Sequence, residues 1–461
     1  MKVSVNKNQD KKYNADFIIQ DAMILTMNQN YDFYKSGYLV IKEDKIIDLG
    51  DDKDIMNRYT APRVIDGSGM LLMPGLINTH THVPMTIFRG YADDLPLYEW
   101  LYEYIFPIES EFVTKENVVI ATKLAIAEML RSGTTTFNDM YYYVDEIARL
   151  VDETGIRAVL SESVIDFPAP NSLTPADGLR TSESLLQKWN NHPRITISLS
   201  AHSPYSCSSD LILSAKALSD KYHVPFNIHV AETRKEFDES LARYGFTPVA
   251  YLNDLGVLDQ NVIIAHGVHL TAEDIEIVAQ KGVSIAHNPE CNMKLSSGVA
   301  PIPELLKAGV KVGLGTDGVA SNNDMDMFNE MNTAAILHKL HANDPTVMNA
   351  RSVLEMATIN GAKVLGMENE IGSLEVGKKA DMILLDMMQP HAHPLYNIYS
   401  LIVYSMKGSD VRTVFIDGKI VMQDGRFAHL DELGLYAKVE EVANRIRERS
   451  LVLKEAKSRK S

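Results

Sequence analysis

The sequence predicts an α/β protein: a (β/α)8 barrel of the TIM type with a small β-sandwich-like domain formed from both chain ends. Three observations predict it. Between residues 73 and 374, apolar strand-like runs alternate with amphipathic helix-like runs, a pattern typical of a parallel barrel. At both chain ends, short β-like runs between polar turns replace this pattern. The length of 461 residues accommodates a barrel of roughly 250 residues and a second domain.

The predicted elements fall into four blocks along the chain. Residues 1–72 and 375–430 contain β-like runs with little helical periodicity, so both are assigned to one composite domain. Residues 73–374 form the barrel, and residues 431–461 form a mixed-charge C-terminal helix and tail. The strand-like runs that mark the barrel units include ITISLSAHS, VPFNIHVAE, NVIIAHGVHL, GVSIAHNPE and VKVGLGTDG.

Composition excludes several classes of protein. The formal net charge of −16 argues against binding nucleic acid, which requires clustered Lys and Arg. The sequence contains no apolar run long enough to span a bilayer and no apolar core of a secretory signal, so we expect a cytoplasmic protein that does not enter membranes. The two cysteines, Cys207 and Cys291, are far apart in sequence, which argues against a disulfide framework or a thiolate zinc site. Nitrogen and oxygen ligands should therefore hold any metal.

Polar side chains recur at the ends of the predicted barrel strands. The C-terminal ends of barrel strands converge on one mouth, where catalytic residues collect. Side chains at several successive strand ends can therefore meet in space. The residues in this position are His202, His229, His266, His287 and Asp317.

A metal site is the interpretation that this arrangement favours. His80 and His82 are separated by one residue, so on an extended segment their side chains lie on the same face. Such a spacing alone also occurs in packed or surface histidines. Together with His229 and Asp317, however, the pair provides three imidazoles and one carboxylate, which suit Zn²⁺ or Fe²⁺ in an open catalytic site.

These segments, in their order and spacing, resemble the amidohydrolase superfamily. The similarity rests on PGLINTHTH, HVAET, HGVHL, AHNPECNMKL and GTDG, and it extends to about Phe427. The most similar branch includes the 5-methylthioadenosine/S-adenosylhomocysteine deaminases and the triazine chlorohydrolases. The resemblance implies one divalent ion per subunit, Zn²⁺ with Fe²⁺ or Mn²⁺ as alternatives, held by His80, His82, His229 and Asp317. Binuclear relatives carry a bridging lysine where this chain has His202, which favours a single metal.

The resemblance also assigns the proton chemistry. It makes Glu232 the acid and base that protonates the ring nitrogen and then the leaving group. His266 would orient the attacking water together with Asp317, which can both bind the metal and accept a proton. The alternatives are a surface carboxylate at the start of a helix for Glu232 and a buried structural histidine for His266.

Substrate contacts are inferred from the same branch. Trp100 would wall off the substrate, and Glu109 would accept hydrogen bonds from both ribose hydroxyls, with Glu232 and Asp317 reaching the reacting ring. A core tryptophan and a helix-capping glutamate are the alternatives for the first two. His202 would donate a hydrogen bond to the nucleoside. Arg180 is a loose match to an arginine that binds the homocysteine carboxylate, so S-adenosylhomocysteine is less strongly indicated than methylthioadenosine.

The sequence therefore predicts a metal-dependent aminohydrolase that converts an adenosine-type nucleoside to the inosine analogue and ammonia. One alternative is a deaminase or chlorohydrolase acting on another heterocycle, such as guanine, a pterin or a triazine. The other is a non-catalytic scaffold of the same fold. A homo-oligomer is the usual state for such enzymes and is expected here.

Overall fold

The computed structural model describes the chain from residue 12 to residue 458, and its side chains up to residue 452. Strands of the N-terminal part are β1 Tyr13–Asn14, β2 Phe17–Leu25, β3 Phe33–Lys42, β4 Lys45–Gly50, β5 Tyr59–Thr60, β6 Arg63–Asp66 and β7 Met70–Pro74. The central strands are β8 Leu76–Thr81, β9 Thr134–Tyr141, β10 Arg157–Val164, β11 Ile195–Ile197, β12 Leu199–Ala201, β13 Phe226–Val230, β14 Val262–His266, β15 Ser284–His287 and β16 Lys311–Leu314. The C-terminal strands are β17 Met382–Asp386, β18 Val411–Ile416, β19 Lys419–Gln423 and β20 Arg426–Phe427.

Helices surround the central strands, and the last described element is also a helix. They are α1 Ile55–Arg58, α2 Leu97–Glu99, α3 Phe106–Phe112, α4 Lys115–Arg131, α5 Val144–Thr154, α6 Pro175–Lys188, α7 Ser209–Tyr222, α8 Arg234–Tyr244, α9 Pro248–Asp254, α10 Ala272–Lys281, α11 Pro289–Lys294, α12 Ile302–Lys307, α13 Val319–Asn322, α14 Met327–Ala342, α15 Ala350–Met356, α16 Ile359–Val364, α17 Ile398–Tyr404 and α18 Glu432–Ser458. A π-helical stretch, Trp100–Ile105, joins α2 to α3. Across residues 12–458, no helix combines the length and apolar character needed to cross a membrane.

The central strands form the predicted barrel. They pair in parallel in the order β8, β9, β10, β12, β13, β14, β15, β16, and β11 is the first half of the strand that β12 continues. The backbone N–H of Asp317 donates to the carbonyl oxygen of His80, so the end of β16 returns to β8. Gly313 permits this approach, because a Cβ there would lie 2.5 Å from Cγ2 of Thr79. The predicted fold class is confirmed.

Both chain ends contribute to a second sheet. Its strands are hydrogen-bonded in the order β20, β19, β18, β17, β7, β2, β3, β4, with β6 on β2, and β7 runs antiparallel to β17. Strand β7 extends to Pro74, two residues beyond the predicted boundary at residue 72. Leu435, Val442 and Ile446 of α18 are buried, whereas Leu433 and Leu451 are exposed, so this helix packs on the protein along one face.

A buried ion triad joins the barrel to the small sheet. Arg157, the first residue of β10, donates to Asp381 with an Nε–Oδ2 distance of 2.7 Å and also binds Asp417. Asp381 precedes β17 and Asp417 follows β18, and all three residues are buried. The N-terminal end of a barrel strand is thereby tied to the sheet formed from the chain ends, on the side of the barrel opposite the strand ends considered below.

Replacing Arg157 with methionine should destabilise the protein by about 3–5 kcal/mol, because buried Asp381 loses its cationic partner and Asp417 keeps only the more distant Lys379 and Arg194, at 3.8 and 3.9 Å. The shift of the urea unfolding midpoint measures this loss. Arg149→Met is the matched control, since Arg149 pairs with Asp145 on the surface and such pairs contribute at most about 1 kcal/mol. Equal effects of the two substitutions would show that the triad does not hold the domains together.

Candidate metal centre and active site

Four side chains converge at the C-terminal mouth of the barrel. His80 lies near the end of β8, His82 follows that strand, His229 lies in β13, and Asp317 follows β16. The Nε2 atoms of His80 and His82 each lie 3.2 Å from Oδ1 of Asp317. Nε2 of His229 lies 3.3 Å from Nε2 of His82. Ligands about 2.0–2.1 Å from one tetrahedral ion are separated by about 3.3 Å, so these atoms can share a single metal.

Hydrogen bonds aim the ligand atoms at this centre. His82 donates through Nδ1 to the carbonyl oxygen of Met140 at 2.6 Å, and His229 donates through Nδ1 to the carbonyl oxygen of His202 at 2.7 Å. Each bond leaves the Nε2 lone pair free for a metal. Within residues 12–452, Nε2 of His80 and Oδ1 of Asp317 are buried without a hydrogen-bond partner. The donor set therefore fits a divalent cation.

Electrostatics favour the same interpretation. Burial lowers the pKa of His80 to about 4 and that of His229 well below its usual range, so both are neutral, which is the form that binds metals. Burial also disfavours the charged form of His82, but the adjacent Asp317 raises its pKa to about 9. Although burial disfavours its charged form, the imidazoles of His80 and His82, each 3.2 Å from Oδ1, hold the pKa of Asp317 well below its usual range. Asp317 supplies the negative charge of this centre, and a bound cation would take the place of the proton on His82.

A buried carboxyl and a buried imidazole lie beside these four side chains. Oε2 of Glu232 lies 3.8 Å from Nε2 of His266, and both side chains are buried. The Nδ1 atom of His266 lies 2.9 Å from Oδ1 of Asn292, so its Nε2 atom faces Glu232. Burial raises the pKa of Glu232. A carboxyl with a raised pKa holds its proton more readily near neutral pH, which suits a group that both accepts and donates protons.

The cavity over these residues also contains the predicted substrate contacts Trp100, Glu109 and His202. Glu109 is buried and accepts a hydrogen bond from the Tyr141 hydroxyl. Burial raises the pKa of Glu109 to about 7. His202 is also buried, which lowers its pKa to about 3, and Nδ1 lies 2.7 Å from the Ser206 hydroxyl. The structure thus places Trp100, Glu109 and His202, three of the four additional predicted substrate contacts, around the same cavity as the candidate metal ligands.

Comparisons with known proteins agree with this geometry. The model of the amidohydrolase family matches residues 71–421. The chain belongs to the amidohydrolase family. It is 44% identical to the 5-methylthioadenosine/S-adenosylhomocysteine deaminase 1 of Syntrophus aciditrophicus, over 94% of this chain and 98% of that protein. It is also 44% identical to the 5'-deoxyadenosine deaminase of Methanosarcina mazei, again over 94% of this chain and 98% of that protein.

A solved structure shares the whole architecture of this amidohydrolase. The crystal structure of an adenosine deaminase from Xanthomonas campestris with bound zinc superposes with a TM-score of 0.93 at 36% identity. The match covers 95% of this chain and 100% of that one. The predicted recognition is confirmed, since both the family and the deaminase relatives are those that the sequence motifs indicated.

Arg180 is not brought to the cavity of the amidohydrolase. Its side chain is 71% exposed on α6 and donates to Asp177 three residues earlier on the same helix. The inner face of α6 carries the buried Gly178 and Ser182. Arg180 lies two residues from each of them, and two residues turn an α-helix by about 200°, so its side chain points away from that face. The predicted contact between Arg180 and a substrate carboxylate therefore has no support in the structure.

Two polar groups in this site were not found by sequence reasoning. Glu236, in the first turn of α8, accepts hydrogen bonds from the backbone N–H groups of Ala231 and Glu232 at 2.9 and 2.8 Å. Ala231 has a φ of +54°, so Glu236 holds a left-handed turn directly before Glu232. Its position four residues after Glu232 was the available signal. The second group is the thiol of Cys291, which donates to Oδ2 of Asp317 at 2.8 Å.

Proposed function

We propose that this amidohydrolase hydrolytically deaminates an adenosine-type nucleoside, 5'-methylthioadenosine and/or S-adenosylhomocysteine, to the inosine analogue and ammonia. The observation that carries the proposal is the convergence of four potential metal-ligand atoms next to one cavity, whose lining includes the buried Glu232 and Glu109. The names of the relatives that match nearly end to end support the same reaction.

His80, His82, His229 and Asp317 would hold one divalent ion, for which Zn²⁺ is the first choice and Fe²⁺ or Mn²⁺ are alternatives. Such an ion acts as a Lewis acid that makes water nucleophilic at neutral pH. The zinc in the deaminase from Xanthomonas campestris supports a divalent metal in this fold. This chain has His202 where binuclear relatives have a bridging lysine, which supports a single ion.

Protons are moved by this chain's own residues. Glu232 takes a proton from the attacking water, delivers one to the ring nitrogen and later protonates the departing ammonia. His266 orients the water, and Asp317 accepts a hydrogen bond from it while holding the metal. Oε2 of Glu232 lies 3.8 Å from Nε2 of His266, which supports their acting on the same reacting centre.

The remaining contacts position the nucleoside. Glu109 accepts hydrogen bonds from the two ribose hydroxyls, and Trp100 forms a wall of the cavity. The neutral His202 donates a hydrogen bond to the nucleoside through Nε2, because Nδ1 is occupied by Ser206. The homo-oligomeric state and the cytoplasmic location stay predictions.

An ammonia-release assay with metal-replete protein tests the function. Its substrates are methylthioadenosine, S-adenosylhomocysteine, adenosine, 5'-deoxyadenosine, guanine and a chlorotriazine. Ammonia is expected from the adenosine-type compounds. Turnover confined to guanine or the chlorotriazine would overturn the proposal, and purified protein without stoichiometric metal and without turnover would favour the scaffold alternative.

Replacing Glu109 with glutamine should lower kcat/KM for adenosine by about 10- to 100-fold, because a hydrogen bond to a charged group contributes about 1.5–3 kcal/mol. The amide retains one acceptor oxygen but loses the charge. With 2'-deoxyadenosine, which lacks one of the two hydroxyls, the loss should be smaller. Steady-state kinetics on both substrates measure the difference.

Glu111→Gln is the matched control, since Glu111 lies on the same helix and pairs with Arg449 at the surface. It should leave both substrates unaffected. Equal losses of adenosine and 2'-deoxyadenosine turnover in Glu109→Gln would mean that the carboxylate does not bind the ribose diol.

A further inference from the structure

A second group of three potential ligands lies next to the metal centre. Glu232, His266 and Cys291 are buried, and one ligand atom of each lies within 4.8 Å of the others. Oε2 of Glu232 and Nε2 of His266 are 3.8 Å apart, a separation suited to two ligands of one ion. This trio, which we name the thiol cluster, shares no residue with the four ligands of the first centre.

The donor atoms of the thiol cluster are oriented toward a common space. Because Nδ1 of His266 is paired with Asn292, its Nε2 lone pair is directed to Glu232. Sγ of Cys291 lies 2.8 Å from Oδ2 of Asp317, whose Oδ1 atom faces the first centre. One thiol, one imidazole and one carboxylate are the donor types that Zn²⁺ prefers, and the sulfur adds affinity for soft cations such as Cd²⁺.

We propose that Glu232, His266 and Cys291 form a second, inhibitory site for Zn²⁺ or Cd²⁺. Binding releases the thiol proton to solvent and forms bonds from sulfur, nitrogen and oxygen to the cation, with no change of oxidation state. The inhibition rests on the proposed function, because there Glu232 carries the proton and His266 orients the water. A cation held by both side chains occupies the lone pairs that these steps require.

The proposed second site depends on the thiol of Cys291. Glu232 and His266 alone offer two ligands, too few for a specific zinc site, where three or four protein ligands are usual. Cys291 lies in α11, on the loop side of β15, and brings the third ligand from a different part of the barrel mouth. Serine in its place has a hydroxyl that can still donate to Asp317 but does not bind soft cations strongly.

Cadmium titration of the enzyme reconstituted with one Cd²⁺ per chain tests the second site. The first centre has only nitrogen and oxygen ligands, so an ultraviolet thiolate-to-cadmium absorption band reports the second ion alone. We expect equilibrium dialysis to show a second equivalent of Cd²⁺, with the band growing in parallel. Nucleoside deamination should fall at least tenfold relative to the singly loaded enzyme and recover when dithiothreitol removes the second ion.

Two serine variants make the result specific. Cys291→Ser should bind one equivalent, show no band and keep its own activity within twofold on adding cadmium. Cys207→Ser, the matched control at the other buried cysteine, should behave as the unmodified protein does. A single equivalent in the unmodified protein, or a band that survives Cys291→Ser and disappears in Cys207→Ser, would overturn the second site.

The same experiment separates this inference from the proposed function. Dialysis and the absorption band report binding whether or not the protein deaminates any nucleoside. Two equivalents and a band in a protein without deaminase activity would retain the site and reject the proposed function. Two equivalents and a band with full deaminase activity would reject the inhibitory role.

Discussion

Replacing His229 with asparagine is expected to lower kcat by about a thousand-fold or more, because the Lewis-acid contribution of a bound ion is several kcal/mol. His229 lies in β13 and is one of the four proposed ligands, so its loss would leave three. Metal analysis of the purified variant should show well under one ion per chain, compared with one in the unmodified protein. Added Zn²⁺ should restore little activity.

His202→Asn is the informative control for this prediction. The ring of His202 lies 4.9 Å from that of His229, centroid to centroid, yet only its backbone carbonyl contacts Nδ1 of the ligand. The substitution keeps that carbonyl, so one ion per chain should remain. Loss of metal in His202→Asn, or full metal in His229→Asn, would contradict the assigned ligand set.

Replacing Glu232 with glutamine should lower kcat by about 10²- to 10⁴-fold while the protein keeps its metal, because an amide cannot carry the proton that general acid–base catalysis transfers. The neutral side chain preserves the size of the buried carboxyl, so the fold and substrate binding should change little. Steady-state kinetics on the best adenosine-type substrate, together with metal analysis, measure both parts of the prediction.

Glu239→Gln serves as the neighbouring comparison. Glu239 is an exposed residue of α8, where it pairs with Lys235, and its substitution should leave kcat unaltered. A loss of less than tenfold in Glu232→Gln would show that another group carries the proton. A loss of metal would instead place Glu232 among the ligands.

The convergence of the four proposed metal ligands could be expected from the sequence for a geometric reason. His80 and His82 are spaced to share one face of an extended segment, and His229 and Asp317 follow or end other apolar runs. In a parallel barrel all such positions lie at one mouth, so local strand patterns place residues from distant parts of the chain together. The structure brings these four side chains within 4.8 Å of one another.

The orientation of side chains on helices could not be read in the same way. Arg180 matched an expected arginine in sequence position, yet the packing of Gly178 and Ser182 against the barrel turns it to the solvent. The side on which a helix packs depends on tertiary contacts, because helix residues a few positions apart point in different directions. Position along the chain therefore did not determine whether Arg180 reaches the cavity.

The sequence by itself determined the fold class, the family and the set of polar strand-end residues, because each follows from patterns within short segments. Only the tertiary structure showed the hydrogen bond from Cys291 to Asp317, the hydrogen bond from the backbone N–H of Glu232 to Glu236, and the hydrogen bond from Tyr141 to Glu109. Each contact depends on the direction in which a side chain points, and that direction is fixed by packing and leaves no periodic signal in the chain.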